Sequence, residues 1–401
     1  MSEDPGRPAR PWQAPGSPHD QIRELFHNEL RAEAPRWERE RRLPRSVFTR
    51  LASTGAFAAR WPLGGDGDFS VAATLAREAA LTSVGAAIGL SLHTDGFLPL
   101  IQRSEWGQEM RGRVLDGSLI GCVAVSEPAS GSDVTRCETR AERSGSGWVI
   151  DGRKQYVSNF ETATDCVVFA RTGEGGLGGF TLFAVPTDAP GITATPHATI
   201  GARAAGTCAV DFEQVEVPTE RRLGPVGSGL PSVLGFLRRE RLWVTIGSTA
   251  LAELCFEAAH AFACSRQVGG EPLIRRQAIA HRLADMRTTL AATESIAAEL
   301  TTEMIDGGVS AGRAAEGKLF AAGSACRLAD EAIQILGGRG YTEETPIAAL
   351  FNDVRVLRIG GGTDEILREL IDRTEGPGAL AEHPAVAAAA AASLPVGGAA
   401  R

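Results

Sequence analysis

The chain lacks the cysteine patterns that define metal-binding and disulfide-stabilised proteins. Its 401 residues include seven cysteines, scattered without a Cys-x-x-Cys pair or a Cys/His cluster. Such a distribution predicts reduced, mostly buried thiols in a cytoplasmic protein, with no structural zinc and no other metal site. No strand–Gly-x-Gly-x-x-Gly–helix unit of the dinucleotide-binding type is present either.

The chain also lacks a long basic run and a long apolar run. Its 41 basic and 49 acidic residues give a net charge of -8, which argues against nucleic acid as the main partner. No segment reaches the roughly 18 apolar residues that a membrane span needs. The longest candidate, residues 385–394, is too short, and no charged-then-apolar leader is evident at the N-terminus. We therefore expect no membrane partner.

The sequence that is present has the composition of an ordinary globular protein, with 43% hydrophobic and 22% charged residues. Its patterns divide the chain into five parts. Residues 1–18 are proline-rich and predict a disordered arm, and 19–118 show helical spacing of apolar residues. Short β-branched runs occupy 119–228, helical patterns return over 229–375, and 376–401 predict a disordered tail.

The secondary-structure signals within these parts predict an α+β protein that is mainly α. Strand-like runs separated by glycine-rich turns suggest a small β-barrel in the middle. Long amphipathic patterns over 231–265, 277–306 and 312–336, with a last helix capped by Thr363, predict a C-terminal four-helix bundle. The first third is expected to be a helical domain.

One stretch places a single carboxylate among arginines at the start of a long apolar helix. Residues 237–243 read Leu-Arg-Arg-Glu-Arg-Leu-Trp. Our hypothesis is that Glu240 is a catalytic base. The alternative is a solvated charge run on a helix surface, because charge runs usually face water.

A second stretch, residues 124–133, ends a strand and enters a loop of small hydroxyl and glycine residues. Such a loop offers backbone N–H groups to a ligand that must approach closely; otherwise it is an ordinary turn. It resembles the first signature of the acyl-CoA dehydrogenase family. Residues 152–159 resemble the next marker of that family, a strand along the flavin, although Tyr156 stands where tryptophan is usual.

Three further stretches strengthen the resemblance, which runs from about His19 to Arg373. Residues 334–341 and 360–366 resemble the two C-terminal markers of the family. Arg266, followed by Gly270 and Gln277, is similar to its helix-loop-helix flavin contact, although Gly269 stands where phenylalanine is usual.

The resemblance implies a helical domain, a β-barrel and a helical bundle, assembled as a tetramer or dimer with FAD at a subunit interface. It places Val125, Ser126, Tyr156 and Ser158 at the isoalloxazine ring, and Arg266 and Gln277 near the pyrophosphate and adenosine. Gln334, Gly337 and Gly338 would act across the interface, and Thr363 and Glu365 would lie beside the adenine dinucleotide. Ser132 would lie along the pantetheine arm of the substrate, with Arg241 and Gly360 also at the substrate.

Many family members carry their catalytic glutamate at the position of Gly361, which cannot act as a base. The long-chain and isovaleryl branches hold that glutamate on the first long helix of the bundle, followed by an arginine. Glu240-Arg241 resembles that pattern. A carboxylate in an apolar pocket has its charged form disfavoured, which raises its pKa toward the working pH. Arg241 is expected to point away from this carboxylate. The N–H of Gly361 can still donate to the substrate carbonyl, while the glycines 360–362 either admit a bulky acyl chain or satisfy an awkward turn.

Three functions remain open at this stage. The first is FAD-dependent α,β-dehydrogenation of an acyl-CoA or acyl-carrier-protein thioester, with electron-transfer flavoprotein or oxygen as the electron acceptor. The second is a flavin-dependent monooxygenase on the same fold, and the third is a non-catalytic flavoprotein or scaffold. Retention of Glu240 and of the Ser-Glu-Pro loop argues for the first.

Overall fold

The computed structural model describes residues 10–62, 67–102, 104–174 and 176–374. The predictions of disorder for residues 1–9 and 376–401 lie outside these ranges. Within them, the chain runs from helices through a β domain to a second set of helices. The predicted class, α+β and mainly α, is therefore confirmed.

The first third is a helical domain in which apolar faces pack inward. Asp68, Ser83 and Ser104 each accept a backbone N–H at the start of a helix, as N-capping residues do. Two π-helical segments, Phe26–Leu30 and Leu92–Phe97, join consecutive helices. The helices are α1 (His19–Leu25), α2 (Arg31–Glu40), α3 (Arg45–Ser53), α4 (Ala56–Arg60), α5 (Phe69–Thr82), α6 (Val84–Ser91), α7 (Leu98–Ile101), α8 (Glu105–Glu109) and α9 (Arg111–Leu115).

The prediction of a disordered arm is wrong for residues 10–18. A 3₁₀ turn at Pro11–Gln13 buries the Trp12 side chain to 2% exposure in the main core. Arg10 pairs at 2.7 Å with Glu294, which lies on a bundle helix. A proline-rich segment without apolar periodicity can thus be held by a buried aromatic side chain, an ion pair and side-chain hydrogen bonds to its carbonyls, which period-based reasoning does not detect.

The middle domain is one eight-stranded mixed sheet with the strand order β6-β7-β3-β2-β4-β5-β8, and β1 pairs in parallel with β4. β2 and β6 were not predicted, because most of their side chains are polar or exposed. The strands are β1 (Gly121–Ala124), β2 (Arg140–Ser144), β3 (Gly147–Val157), β4 (Asp165–Arg171), β5 (Phe180–Pro186), β6 (Ile192–Pro196), β7 (Cys208–Pro218) and β8 (Arg222–Leu223).

The sheet separates two cores. Along β4, Cys166 and Val168 face a core enclosed by the β domain, while Val167 and Phe169 face the core shared with the N-terminal helices. Because successive strand side chains alternate between faces, a strand buried on both sides is continuously apolar. This explains why β4 was easy to predict from the sequence.

The C-terminal part is the predicted helical bundle, built on three long helices. Its first helix, α10, runs unbroken for 37 residues and packs against both of the next two. A two-stranded hairpin, β9 (Gln267–Val268) and β10 (Glu271–Pro272), separates the first two helices. The helices are α10 (Gly229–Ser265), α11 (Gln277–Asp306), α12 (Ala311–Leu336), α13 (Ile347–Val354) and α14 (Asp364–Thr374).

Two helical stretches are long and apolar enough to cross a membrane by length and composition, although we predicted none. They are 84–101 and Gly229–Ser265, and most of each is buried inside the structure. Helices at the core of a folded domain pass the same test.

A buried carboxylate fastens α10 to the N-terminal helices. Asp95, with 0% exposure, accepts hydrogen bonds from the Arg60 guanidinium at 2.6 and 3.1 Å and from the Trp243 indole N–H at 2.8 Å. Phe236, two turns before Trp243, packs beside Gly96 and Val123. These contacts set where the first turns of α10 lie relative to the end of β1.

We predict that Arg60→Met lowers the free energy of unfolding by about 3–5 kcal/mol, because it leaves the Asp95 charge buried without its ionic partner. Urea denaturation followed by fluorescence measures this change. The matched control is Arg36→Met, which removes two surface ion pairs on α2, each at 3.9 Å, and should cost no more than about 1 kcal/mol. Equal effects of the two substitutions would contradict this account.

Candidate active site

Glu240 lies on α10 against the glycine turn that precedes α14. A Cβ added to Gly361 would stand 3.4 Å from Glu240 Cδ and 3.5 Å from its Oε2. The carboxylate is half-buried, and it makes no hydrogen bond or ion pair with any residue that the structure describes. The solvated charge run that we considered for this stretch does not match this placement.

Two cations hold the glycine turn from opposite helices. Arg241, 6% exposed, donates from Nε to the Gly361 carbonyl at 3.1 Å. Lys318, on α12, donates from Nζ to the Gly362 carbonyl at 2.5 Å. Arg241 forms no ion pair with Glu240 among the described residues, as expected if it points elsewhere, although its charge still acts against the rise that burial causes in the pKa of Glu240.

The turn has a conformation that favours glycine. Gly361 has φ +68° and Gly362 has φ +105°, both in the region that side chains rarely adopt. The N–H of Gly361 donates no hydrogen bond to the described part of the chain. An unused donor therefore lies next to an unpaired carboxylate.

Burial raises the pKa of Glu240 above its ordinary value, while the positive charges of Lys318 and Arg241 oppose the rise. Burial has the opposite effect on a cation and lowers the pKa of Lys318 to about 8, although the negative charge of Glu240 opposes this shift. A carboxyl group with a raised pKa at a half-buried position has the properties of a general base that works near neutral pH.

The residues predicted at the flavin ring lie together at one end of the sheet. The Gln155 N–H donates to the Ser126 carbonyl at 2.8 Å, so the end of β1 meets β3 here. The N–H groups of Val125 and Ser126 have no acceptor in the described chain. Tyr156 is 66% exposed with φ +60° at an irregularity of β3, and Ser158 lies 3.1 Å from the hydroxyl of Thr207.

These features fit a planar heterocycle. Unused N–H donors suit its polar edge, and an uncovered tyrosine ring suits its face. The ring of His197 lies 5.2 Å from that of Tyr156, and its buried Nε2 has no partner in the described chain. The donors and the aromatic surface therefore suit an isoalloxazine ring.

The remaining predicted site residues are exposed or half-buried, and two of them, Gly360 and Thr363, flank the glycine turn that lies against Glu240. Within the described residues, no hydrogen bond or ion pair joins any of them to Glu240. Arg266 and Gln277 flank the β9–β10 hairpin, Gln334, Gly337 and Gly338 are exposed at the end of α12, Thr363 and Glu365 begin α14, and Ser132 and Gly360 are exposed in loops.

Sequence reasoning missed Lys318, and it also missed the partner of Glu127 in the loop that follows β1. Glu127 accepts a hydrogen bond from the Lys154 ammonium at 2.7 Å and from the Glu138 and Thr139 N–H groups at 2.6 and 3.0 Å. The same ammonium donates to the Val125 carbonyl at 3.0 Å. Lys154 and Lys318 are the only two lysines in the chain. That scarcity is the feature of the sequence that could have pointed to both residues.

Comparison with known proteins gives a consistent result across the whole fold. Three family models match in order: the acyl-CoA dehydrogenase N-terminal domain at residues 18–113, the middle domain at 122–215 and the C-terminal domain at 227–375. Benzylmalonyl-CoA dehydrogenase of Aromatoleum aromaticum is 32% identical over 339 residues, which cover 82% of this chain and 89% of that protein. Mitochondrial isovaleryl-CoA dehydrogenase of Oryza sativa is 36% identical over 263 residues, 65% of this chain. That match spans 64% of the rice protein, less than two thirds of its length.

Solved structures resemble the chain over most of its length. An acyl-CoA dehydrogenase from Geobacillus kaustophilus has a TM-score of 0.84 at 27% identity, covering 89% of this chain and 96% of its own. A glutaryl-CoA dehydrogenase from Mycobacterium smegmatis, solved in complex with FADH2, has a TM-score of 0.82 at 26% identity and covers 89% and 92%.

We predict that Glu127→Gln destabilises the fold in a pH-dependent way. Burial alone would raise the pKa of Glu127, but the Lys154 ammonium and the hydrogen bonds outweigh it and lower the pKa to about 2. A carboxyl group with a depressed pKa in the folded state stabilises the protein above its ordinary pKa of 4.5. This contribution, about 3 kcal/mol, is lost as the pH falls from 4.5 toward 2.

Urea denaturation at several pH values tests this prediction. The wild type should exceed Glu127→Gln in stability at pH 7, and the difference should shrink below pH 4.5. A difference that stays constant down to pH 3 would show that the Glu127 charge is not what stabilises the loop.

Proposed function

Because the chain belongs to the acyl-CoA dehydrogenase family, we propose that it catalyses the FAD-dependent α,β-dehydrogenation of an acyl thioester. FAD is the cofactor of that family, and a related structure was solved with FADH2. The observation that supports the proposal best is the unpaired Glu240 carboxylate, within van der Waals reach of the Gly361 position, beside an N–H that has no acceptor in the described chain.

The proposed mechanism assigns one proton transfer to Glu240. Its Oε2 accepts the proton from the carbon next to the thioester carbonyl, which is only weakly acidic in water. As the proton leaves, negative charge grows on the carbonyl oxygen, and the Gly361 N–H donates to it. Bound FAD supplies the hydride acceptor for the neighbouring carbon. Half-burial of the carboxylate favours the transfer, because a poorly solvated base is the stronger one.

The cofactor would be held by residues at the end of the sheet and by residues of another subunit. Val125, Ser126, Tyr156 and Ser158 share one surface, which supports their assignment to the isoalloxazine ring. Most of the second set is exposed and makes no hydrogen bond or ion pair with Glu240 among the described residues, which supports a homo-oligomer in which it serves the neighbouring active site. That set comprises Arg266, Gln277, Gln334, Gly337, Gly338, Thr363 and Glu365.

For the substrate, we propose the residues that contact it and its chemical class. Ser132, Arg241 and Gly360 are assigned to the thioester and its pantetheine arm. The relatives act, by their names, on coenzyme A thioesters of branched or aromatic acids, so an acyl-CoA is our first choice and an acyl-carrier-protein thioester the second. Electron-transfer flavoprotein is the proposed electron acceptor, and the cytoplasm is the proposed location. Mass spectrometry of products from a panel of both kinds of thioester would identify the substrate.

We predict that Glu240→Gln slows anaerobic reduction of bound FAD by an acyl thioester at least about 10²-fold, because it removes the general base. Stopped-flow absorbance of the flavin measures the rate, and the FAD content of the purified variant shows whether the cofactor is retained. The matched control is Glu257→Gln, which lies on the same helix about 17 residues beyond Glu240 and therefore roughly 25 Å away along the helix axis. The flavin of this variant should be reduced at the wild-type rate.

Equal rates for Glu240→Gln and the wild type would show that Glu240 is not the base. A flavin that no thioester bleaches, combined with turnover of NADH and oxygen, would favour the monooxygenase instead. An FAD-loaded protein inactive in both assays would favour a non-catalytic flavoprotein.

A further inference from the structure

The use of lysine in this chain is unusually selective. The chain has two lysines among its 41 basic residues, and arginine fills every other basic position. Both lysines, Lys154 and Lys318, have 0% exposure, and each donates to a backbone carbonyl. Lysine differs from arginine in carrying a compact point charge whose pKa shifts readily on burial. Among the described residues, arginine fills the exposed basic positions and the buried positions 60 and 241, while both lysines are fully buried.

Lys318 lies in a closely packed part of α12. It lies on α12 among small residues, including Ala314, Ala315, Ala321 and Ala322. At the preceding position, a Cβ on Gly317 would stand 2.2 Å from Leu300 Cδ1. Lys318 is therefore fully buried next to a close helix contact, and its Nζ reaches the Gly362 carbonyl.

Lys318 and Glu240 face the same point of the glycine turn. A Cβ on Gly361 would lie 3.6 Å from Lys318 Cε and 3.4 Å from Glu240 Cδ. Their charged ends are therefore neighbours, although they do not form an ion pair. An ammonium that donates to a carbonyl next to a carboxylate both fixes the turn and attracts the carboxylate charge.

The other charged groups that influence Lys318 are Arg241 on α10 and Asp364 on α14. Asp364 is occupied by Arg358, which donates to its Oδ2 at 2.5 and 2.8 Å. Arg241 is occupied by the Gly361 carbonyl. Of the charged groups around Lys318, Glu240 is thus the anion without a hydrogen-bonded partner in the described chain, and the two are free to respond to each other.

We propose that Lys318 is a positioning residue for the reaction: its ammonium holds the Gly362 carbonyl and keeps Glu240 in the carboxylate form that accepts the substrate proton. The proposal rests on the proposed function, because it assigns Glu240 as the base. It adds that the base works as a pair with a buried lysine. Arg241 donates to the Gly361 carbonyl from the other side of the turn, so one of the two hydrogen bonds that hold the turn remains when Lys318 is replaced.

The first test is the pH dependence of flavin reduction in Lys318→Met, a variant of similar length without the charge. Without the ammonium, the carboxylate form of Glu240 is less favoured, so the acid limb of the pH–rate profile should move to higher pH by about one unit, or tenfold in proton concentration. Arg313→Met, on the same helix but among the surface acids Glu299, Glu303 and Glu316, should leave the profile in place. A merely structural loss would lower the rate at all pH values without moving the limb, and that result would overturn the proposal.

The second test does not depend on activity or on the folding of Lys318→Met. Because the chain has two lysines, protein labelled with ¹³C at lysine Cε gives two lysine resonances, and Lys154→Met identifies the one from Lys318. In the FAD-loaded protein Lys318 should titrate near its pKa of about 8, and in Glu240→Gln it should titrate at lower pH, because its anionic neighbour has been removed. An unchanged titration in Glu240→Gln would overturn the pairing.

The two tests separate failure of this proposal from failure of the proposed function. If thioesters reduce the wild-type flavin but Lys318→Met keeps the wild-type limb, Glu240 can still be the base and the role of Lys318 is wrong. If no thioester reduces the wild type, the proposed function is wrong and with it the catalytic role of Lys318, whatever the titration shows.

Discussion

Two hydrogen bonds from buried cations to consecutive carbonyl groups hold the candidate active site together. Arg241 of α10 holds the Gly361 carbonyl and Lys318 of α12 holds the Gly362 carbonyl. Because these bonds turn both carbonyls toward the helices, the glycine turn keeps one orientation relative to Glu240. Without them, the Gly361 N–H and the carboxylate would have no fixed relation, and a base and a donor must both be placed within hydrogen-bond reach of one substrate.

Buried charged groups also hold the other junctions of the fold, there as ion pairs. Asp95, paired with Arg60, fastens α10 to the N-terminal helices by accepting from the Trp243 indole, and Glu127 and Lys154 fasten the loop after β1 to β3. Removing one partner of such a pair is costly, whereas replacing both by apolar residues is often neutral for stability, so what each pair adds is a fixed position for the elements that it joins. Each pair fixes an element that carries predicted site residues, and the site is assembled from rigid pieces of three domains.

The sequence was sufficient for elements whose signal is local. The long bundle helices, the buried strand β4 and the glycine turn each follow from period, burial on both faces or residue type. Trp12 was missed because one aromatic side chain holds a segment with no periodicity, and β2 and β6 because polar edge strands lack an apolar run. Lys318 was missed because it bonds to a carbonyl 44 residues away, a contact that only the packing of α12 against the turn creates.

The geometry also explains why this chain carries a single acid at the site. Position 361 has φ +68°, and its Cβ direction points at Glu240. A second carboxylate built from that position would meet the first at close range, where like charges raise each other's pKa and one of them becomes protonated. The acid is therefore carried by the helix, whose backbone is held along its length, and the turn is left free of side chains. Glycine at 361 is then the complement of Glu240, because it leaves the carboxylate its space and carries an N–H without an acceptor in the described chain.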